Sequence, residues 1–133
     1  MRWLTLPNQK QSKYKNKKVK VNGKVFDSKK EANRYCELIR MQQFGLIKDL
    51  ETQKKFLLLD TFRKNGKTYK QINYYADFVY FNIYEKKTII EDVKGYRTEV
   101  YKIKKKLFEF IYPNLTIVAV SYTHLTLLTT KVV

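Results

Sequence analysis

The chain contains little cysteine and no long apolar run, and these shortages exclude several classes of protein. Its one cysteine, Cys36, cannot close an intramolecular disulfide or build a cysteine zinc cluster, so we expect a reducing, cytoplasmic setting. No apolar run approaches the roughly 20 residues that a membrane helix needs. The opening stretch, residues 1–7, is too short for the apolar region of a signal peptide. We therefore expect an intracellular protein with no membrane partner.

Acidic residues are also scarce, and the resulting charge indicates the kind of partner. The 133 residues carry 28 Lys and Arg against 12 Asp and Glu, a formal net charge of +16. Such a surplus favours a polyanionic partner, with nucleic acid ahead of a membrane surface. Aromatic residues make up 15% of the chain, which is typical of a packed domain and not of a disordered basic tail. The length predicts one domain with one core.

The ends of the chain differ in composition from its middle. Residues 1–20 form a basic N-terminal arm that includes Lys15, Lys17 and Lys18. This arm is interpreted either as a DNA-binding segment or as a solvated charged leader. Residues 21–119 form the predicted domain.

The tail, residues 120–133, has a distinct interpretation. Val120–Leu127 can be encoded by GTC TCT TAT ACA CAT CTG ACG CTG, which resembles the transposase end and adapter of tagmentation sequencing libraries. We interpret the tail as adapter read-through, the alternative being a genuine β-rich C-terminus. The one histidine, His124, lies in this tail and is assigned no role.

The remaining pattern predicts an α/β fold. The predicted elements, in order, are a hairpin over Val19–Phe26 turning at Asn22-Gly23, a helix from Ser28 to about Gly45, strands over Leu50–Leu59, Gln71–Phe81 and Lys87–Lys94, a hairpin turn at Asn65-Gly66, a helix over Thr98–Tyr112 and a strand over Leu115–Ala119. In the second helix, an apolar face is predicted from Val100, Ile103, Leu107 and Phe110. The order helix, three strands, helix, strand predicts a sandwich with a central mixed sheet.

Acidic residues within two apolar strands indicate chemistry. A charged carboxylate such as Asp77 or Asp92 is costly in an apolar strand unless it is paired or bound to a metal. Alternation directs Asp92 and Lys94 to one face and Glu91 to the other. Around Asp77, alternation predicts one face from Ile72, Tyr74, Ala76, Phe78 and Tyr80, with Asp77 on the opposite face.

If the two strands are antiparallel neighbours, Asp77 and Asp92 approach one point. Two carboxylates suit Mg²⁺ or Mn²⁺, and Lys94 could assist an attacking water. A buried salt bridge from either acid to Lys94, without metal, remains an alternative from the residues alone.

Asp77 followed by Asp92-Val93-Lys94 resembles the D…(D/E)-x-K signature of the PD-(D/E)XK nuclease superfamily. Matching segments also occur in order around the signature: Phe26–Ala32, Leu50–Phe56, Ala76–Tyr80, Glu91–Gly95 and Lys104–Phe108. Over roughly Tyr14 to Ala119, the chain is similar to a small phage-encoded endonuclease family, long catalogued as a domain of unknown function. That family is akin to Holliday-junction resolvases and TnsA-type nucleases.

The resemblance implies a restriction-endonuclease-like core and a set of site residues. Asp77 and Asp92 match metal-binding acids, Lys94 matches the catalytic lysine, and Glu31 matches a further metal ligand on the first helix. Gln53 matches a polar residue on the first core strand. Glu31 has a competing interpretation as part of a Ser28-x-x-Glu31 capping box, and Gln53 as an ordinary cross-strand hydrogen-bonding residue.

Basic residues of the second helix complete the predicted site. Four lysines follow the candidate strand closely, namely Lys102, Lys104, Lys105 and Lys106. They are interpreted as phosphate contacts, or alternatively as a solvated helix face.

The expected function is a Mg²⁺-dependent DNA endonuclease, with Mn²⁺ as a substitute metal. We expect it to be phage- or prophage-encoded and to act in a bacterial cell on branched or flapped DNA, in recombination, replication or packaging. A homodimer is implied by the resolvase resemblance. The alternatives are a non-catalytic DNA-binding protein on the same fold and a basic RNA-associated protein.

Overall fold

The structure is a computed structural model that describes residues 17–93 and 98–120. It divides into two compact units, residues 1–37 and residues 38–133. In the described ranges, no helix is both long enough and apolar enough to cross a membrane.

The first unit contains the predicted N-terminal hairpin. Strands β1 (Val19–Val21) and β2 (Lys24–Phe26) pair antiparallel. Asn22 and Gly23 connect them with φ values of 51° and 81°, as a tight hairpin turn requires. Helix α1 (Lys29–Gln43) begins in this unit and continues into the second one. Gly45, which follows its last turn with φ of 79°, confirms the predicted glycine cap.

The second unit is built on a four-stranded mixed sheet, which confirms the predicted α/β class and element order. Its strands are β3 (Ile47–Leu59), β6 (Ile72–Asn82), β7 (Lys87–Val93) and β8 (Ile117–Val120), in the order β3-β6-β7-β8. The first three are antiparallel, and β8 pairs with β7 in parallel. Between β3 and β6, strands β4 (Phe62–Lys64) and β5 (Lys67–Tyr69) form the second predicted Asn-Gly hairpin.

Helix α2 (Glu99–Ile111) packs on this sheet through aromatic residues. The fully buried Phe108 ring meets Phe56 at 5.1 Å and Tyr74 at 5.6 Å between ring centroids, both edge-on. Thr98 caps the helix, since its hydroxyl accepts a hydrogen bond from Tyr101 N at 3.0 Å. Such caps and edge-on aromatic pairs fix where α2 lies along the strands.

The predicted apolar face of α2 is wrong for three of its four residues, whereas the fourth, Leu107, packs partly buried against the core. Val100, Ile103 and Phe110 are 62%, 58% and 84% exposed, whereas Tyr101 and Phe108 are buried. The helix turns Tyr101 and Phe108 towards the sheet, where the Phe108 ring packs edge-on against Phe56 and Tyr74.

Candidate active site

Asp77 lies on the central strand β6 with both carboxylate oxygens held by donors. Its Oδ1 accepts a hydrogen bond from Gln53 Nε2 at 3.0 Å, and its Oδ2 accepts one from the backbone N–H of Val93 at 2.8 Å. The second bond ties Asp77 to the end of β7, where the described part of that strand stops. The buried carboxylate therefore connects β3, β6 and β7 at one point.

The strands are irregular at this point. Ala76 and Val79 both belong to the core packed under α2, although residues an odd number of positions apart face opposite sides of a regular strand. Alternation in β6 therefore slips once between them, around Asp77. The facing residue of β3, Gln53, has φ of +50°, a conformation that non-glycine residues seldom adopt. The single alternating face predicted for β6 is accordingly wrong beyond Ala76.

Asp92 is fully buried two residues after Ile90, on the face that packs against α2. Its Oδ2 accepts a hydrogen bond from Tyr74 Oη at 2.7 Å. Burial, then the nearby Asp92 carboxylate, raises the pKa of the Tyr74 hydroxyl far above its ordinary value, and smaller contributions come from Tyr101 and Asp77. The Tyr74 hydroxyl therefore stays protonated and donates a hydrogen bond to Asp92. The charges of both Asp92 and Asp77 contribute to the raised pKa.

Glu91 occupies the opposite face of β7. It pairs with Phe78 in the ladder, and its Oε2 accepts a hydrogen bond from the Tyr80 hydroxyl. Tyr74 and Tyr80 thus bind consecutive residues of β7, although regular alternation would place both tyrosines on one face of β6, and this agrees with the slip in β6. Lys94, predicted to share the face of Asp92, lies outside the described residues.

The register brings the two predicted acids to neighbouring positions. The β6–β7 ladder ends at the pair Phe78 and Glu91. Asp77 and Asp92 are the next residues of the two strands beyond this pair, and the Asp77 carboxylate accepts a hydrogen bond from Val93 N–H at 2.8 Å. The antiparallel neighbourhood on which the sequence hypothesis depended is therefore present.

Three groups of the candidate active site were not identified from the sequence. Tyr74 and Tyr80 were assigned only to an apolar face, yet their hydroxyls hold the two buried acids of β7. The Val93 N–H was not identifiable as a donor, because backbone groups carry no sequence signal. Gln53 was identified, and its predicted cross-strand hydrogen bond is confirmed and goes to Asp77, whereas its role as a site residue stays a prediction.

Glu31 lies in the first turn of α1, within the first unit. Its backbone N–H donates to Ser28 Oγ at 3.1 Å, which confirms the serine half of the predicted capping box. Its side chain is buried, as is that of Arg34, which pairs with Glu37 at 2.9 Å. The metal-binding role of Glu31 stays a prediction.

The predicted DNA-binding lysines are exposed or partly exposed wherever the structure describes them. On α2, Lys102 pairs with Glu99 at 3.2 Å and Lys105 with Glu109 at 3.5 Å. Lys104 and Lys106 make no ion pair with any described residue.

In the basic arm, Lys17 and Lys18 are exposed, and Lys18 pairs with Asp27 at 3.3 Å. Lys15 lies outside the described residues. The arm and α2 therefore present several solvated cations, although some already have a carboxylate neighbour.

The donor set fits a hard divalent cation. Asp77 and Asp92 supply carboxylate oxygens, which are the hard ligands that Mg²⁺ and Mn²⁺ prefer. Magnesium is commonly held by one or two protein carboxylates and completes its shell with water and substrate phosphate. Within residues 17–93 and 98–120, no group of three or more His, Cys, Asp and Glu side chains is arranged to hold a metal. Two carboxylates are thus the described protein contribution to such a site.

The comparisons with known proteins place the chain in a family without assigning a function. Residues 11–125, well over half of the sequence, match the model of a family described as "Protein of unknown function (DUF1064)". No curated protein and no solved structure matches the chain. Because this match spans most of the 133 residues, the chain belongs to the DUF1064 family.

Proposed function

We propose that this protein is a metal-dependent endonuclease that hydrolyses phosphodiester bonds in DNA, on a restriction-endonuclease-like core of the PD-(D/E)XK kind. One observation carries the proposal: Asp77 and Asp92 lie at the meeting point of two antiparallel strands, and each carboxylate accepts at least one hydrogen bond from a neighbouring group. Buried acids at neighbouring positions repel each other when charged, and a divalent cation bound by both removes that repulsion.

The roles follow from the chemistry of each group. Asp77 and Asp92 hold Mg²⁺, or Mn²⁺ in its place, and Glu31 is a further proposed ligand. The bound metal supplies charge stabilisation at the phosphate and lowers the pKa of a coordinated water. Gln53 orients Asp77 by its hydrogen bond, and Tyr74 orients Asp92. Lys94 is proposed to position the attacking water or to stabilise the developing charge.

The charge of the chain supports DNA as the substrate. With a net charge of +16, the protein favours phosphate contacts that do not depend on sequence, supplied by the α2 lysines and the basic arm. We propose recognition of DNA shape, such as branches or flaps, in phage recombination, replication or packaging. A homodimer would cut both strands of a symmetric junction.

The test is cleavage of four-way-junction, flap and linear DNA with Mg²⁺, Mn²⁺ or EDTA. Wild type should nick at least one substrate only when metal is present, and Asp77→Asn and Asp92→Asn should abolish nicking. Glu91→Gln is the matched control, because Glu91 is equally buried next to Asp92 but lies on the opposite face. No metal-dependent nicking of any substrate by folded wild type would refute the proposal.

A further inference from the structure

The β4–β5 hairpin is exposed along its whole length. Every residue from 59 to 71 is exposed, although a two-stranded hairpin is only marginally stable in water when nothing covers it. Two local features hold it together. Asn65 and Gly66 form the turn with φ of 53° and 74°, and the rings of Phe62 and Tyr69 stack at 4.7 Å and an interplanar angle of 9°.

The hairpin carries an uncompensated positive charge. Residues 59–71 contain four cations, namely Arg63, Lys64, Lys67 and Lys70, and a single carboxylate, Asp60. Among the described residues, none of these four cations forms an ion pair, whereas Lys54, Lys87 and Lys102 elsewhere in this unit do. The Arg63 guanidinium donates instead to Thr68 Oγ1 and to the Gly66 carbonyl, which fixes its position beside the turn. The hairpin therefore presents positive charge to solvent on an ordered frame.

The stacked aromatic pair is itself partly open to solvent. Phe62 and Tyr69 are 41% and 42% exposed. A cross-strand aromatic pair stabilises a hairpin whatever its function. Here the pair also lies among unpaired cations, and aromatic rings beside basic side chains are the arrangement that binds unstacked nucleic-acid bases.

The hairpin projects from the end of the sheet that holds the candidate site. Strand β7 stops, as described, at Val93 beside Asp77, while β6 and β3 continue past this point to Ile72 and Leu59 and lead into the hairpin. At about 3.3 Å per residue, Ile72 lies at most roughly 17 Å from Asp77, and the hairpin tip at Gly66 at most about 20 Å further. Those lengths correspond to roughly five to eleven base pairs of DNA at 3.4 Å each.

We propose that the β4–β5 hairpin is a DNA-binding element at the same end of the sheet as the candidate site, whose lysines contact phosphates and whose Phe62–Tyr69 pair stacks on an unpaired base at a branch. The inference rests on the proposed DNA substrate and deepens it, because it names the feature by which branched DNA is preferred over continuous duplex. It assigns this preference to a part of the chain distinct from α2 and the basic arm.

The first arm of the test is DNA binding in EDTA, where no metal-dependent cleavage interferes. Lys64→Gln with Lys67→Gln removes two charges beside the turn of the hairpin. The control, Lys86→Gln with Lys87→Gln, removes two charges at the β6–β7 turn at the opposite end of the sheet, where Lys87 pairs with Glu85 at 3.6 Å. We expect the hairpin variant to lower affinity for duplex and junction alike by up to about 60-fold at 0.1 M salt, and to reduce the slope of log affinity against log salt by about 1.8.

Equal losses in the hairpin variant and its control would mean that only overall charge matters, and would overturn the inference. No loss in the hairpin variant would overturn it as well.

The second arm addresses the aromatic pair. Phe62→Leu with Tyr69→Leu keeps an apolar cross-strand pair but removes both rings, while Phe62→Tyr keeps a ring. The leucine variant should bind flap and junction DNA about 5- to 150-fold more weakly and duplex unchanged, whereas Phe62→Tyr should bind like wild type. A leucine variant that retains the preference for branched DNA, or loses duplex binding equally, would refute base stacking.

These two experiments also distinguish the failure of this inference from the failure of the proposed function. Hairpin-dependent binding of branched DNA by a wild-type protein that nicks no substrate would leave the hairpin assignment standing and refute the nuclease. Metal-dependent nicking without any effect of the hairpin variants would support the nuclease and refute the hairpin assignment.

Discussion

Replacing Tyr74 and Tyr80 one at a time with phenylalanine distinguishes the two acids of β7. Each tyrosine donates one hydrogen bond to a buried carboxylate, Tyr74 to Asp92 at 2.7 Å and Tyr80 to Glu91. Phenylalanine keeps the ring and its packing, so each variant removes one donor and little else. The pair is therefore matched in chemistry and in burial, and differs in which acid loses its support.

The expected loss of stability is similar for the two variants. A hydrogen bond to a charged group contributes about 1.5–3 kcal/mol to the free energy of unfolding. For a chain of this size, that loss lowers the melting temperature by roughly 5–18 °C. Thermal unfolding followed by circular dichroism in EDTA measures this effect.

The expected loss of metal affinity differs between them. A hydrogen-bond partner that orients a metal ligand typically changes metal affinity or activity by about 10- to 100-fold when it is removed. We therefore expect Tyr74→Phe to need about 10- to 100-fold more Mg²⁺ for half-maximal cleavage, and Tyr80→Phe to match wild type. Magnesium-induced stabilisation should fall in parallel for Tyr74→Phe alone, by up to about 2.7 kcal/mol.

Two results would refute this reasoning. If Tyr80→Phe alone loses the response to magnesium, the metal is held on the face of Glu91. If both variants lose it in proportion to their melting temperatures, the effect is one of stability and not of ligand orientation.

Three further predictions test the packing and the protonation states. Phe108→Ala should destabilise the protein by about 3–5 kcal/mol, because the ring is fully buried among three aromatic rings. Phe110→Ala, on the exposed stripe, should change the free energy of unfolding by no more than about 0.5 kcal/mol. Chemical denaturation of both variants measures the difference. Asp77→Ala should destabilise by about 1–3 kcal/mol, since it removes the acceptor of Val93 N–H, and Asp77→Asn should cost less, because the Gln53 amide can turn to accept from the new amide; urea unfolding compares them. Because the pKa of Tyr74 is raised, the folded state retains a proton that the unfolded chain releases above about pH 10. The hydroxyl therefore contributes fully to the free energy of unfolding below pH 10, and above it this free energy falls by about 1.4 kcal/mol per pH unit. In alkaline unfolding curves, Tyr74→Phe should show a slope shallower by that amount.

Local signals were enough to predict much of the fold. The two Asn-Gly pairs both form the turns that their sequence requires, with left-handed φ values at each residue. The long apolar strands and the glycine after α1 fix the element order, and with it the antiparallel contact between the strands of Asp77 and Asp92.

The orientation of α2 could not be predicted from periodicity. Two stripes of the helix are apolar, one containing Val100, Ile103 and Phe110 and the other Tyr101 and Phe108. Spacing fits both stripes equally well. Which stripe faces the sheet is decided by the aromatic rings of β3 and β6 that pack against the helix. These are tertiary contacts, which helical periodicity does not reveal.

The detailed geometry of the candidate site also depends on tertiary contacts. Asp77 was recognised because a carboxylate in an apolar strand is unusual, but the slip that accompanies it has no local signature. The positive φ of Gln53 is likewise invisible in the sequence, because glutamine does not favour that conformation. Irregular backbone opposite a buried acid is the kind of feature that functional sites impose on a sheet.

The most direct measurement of the central claim is single-turnover cleavage of a labelled four-way junction by wild type, Asp77→Asn, Asp92→Asn and Glu91→Gln, each shown to be folded, as Mg²⁺ is titrated. The two-carboxylate metal site predicts magnesium-dependent nicking by wild type and Glu91→Gln and none by either asparagine variant. Nicking that persists in Asp77→Asn or Asp92→Asn, or that is lost in Glu91→Gln alone, would contradict the assignment of these two acids.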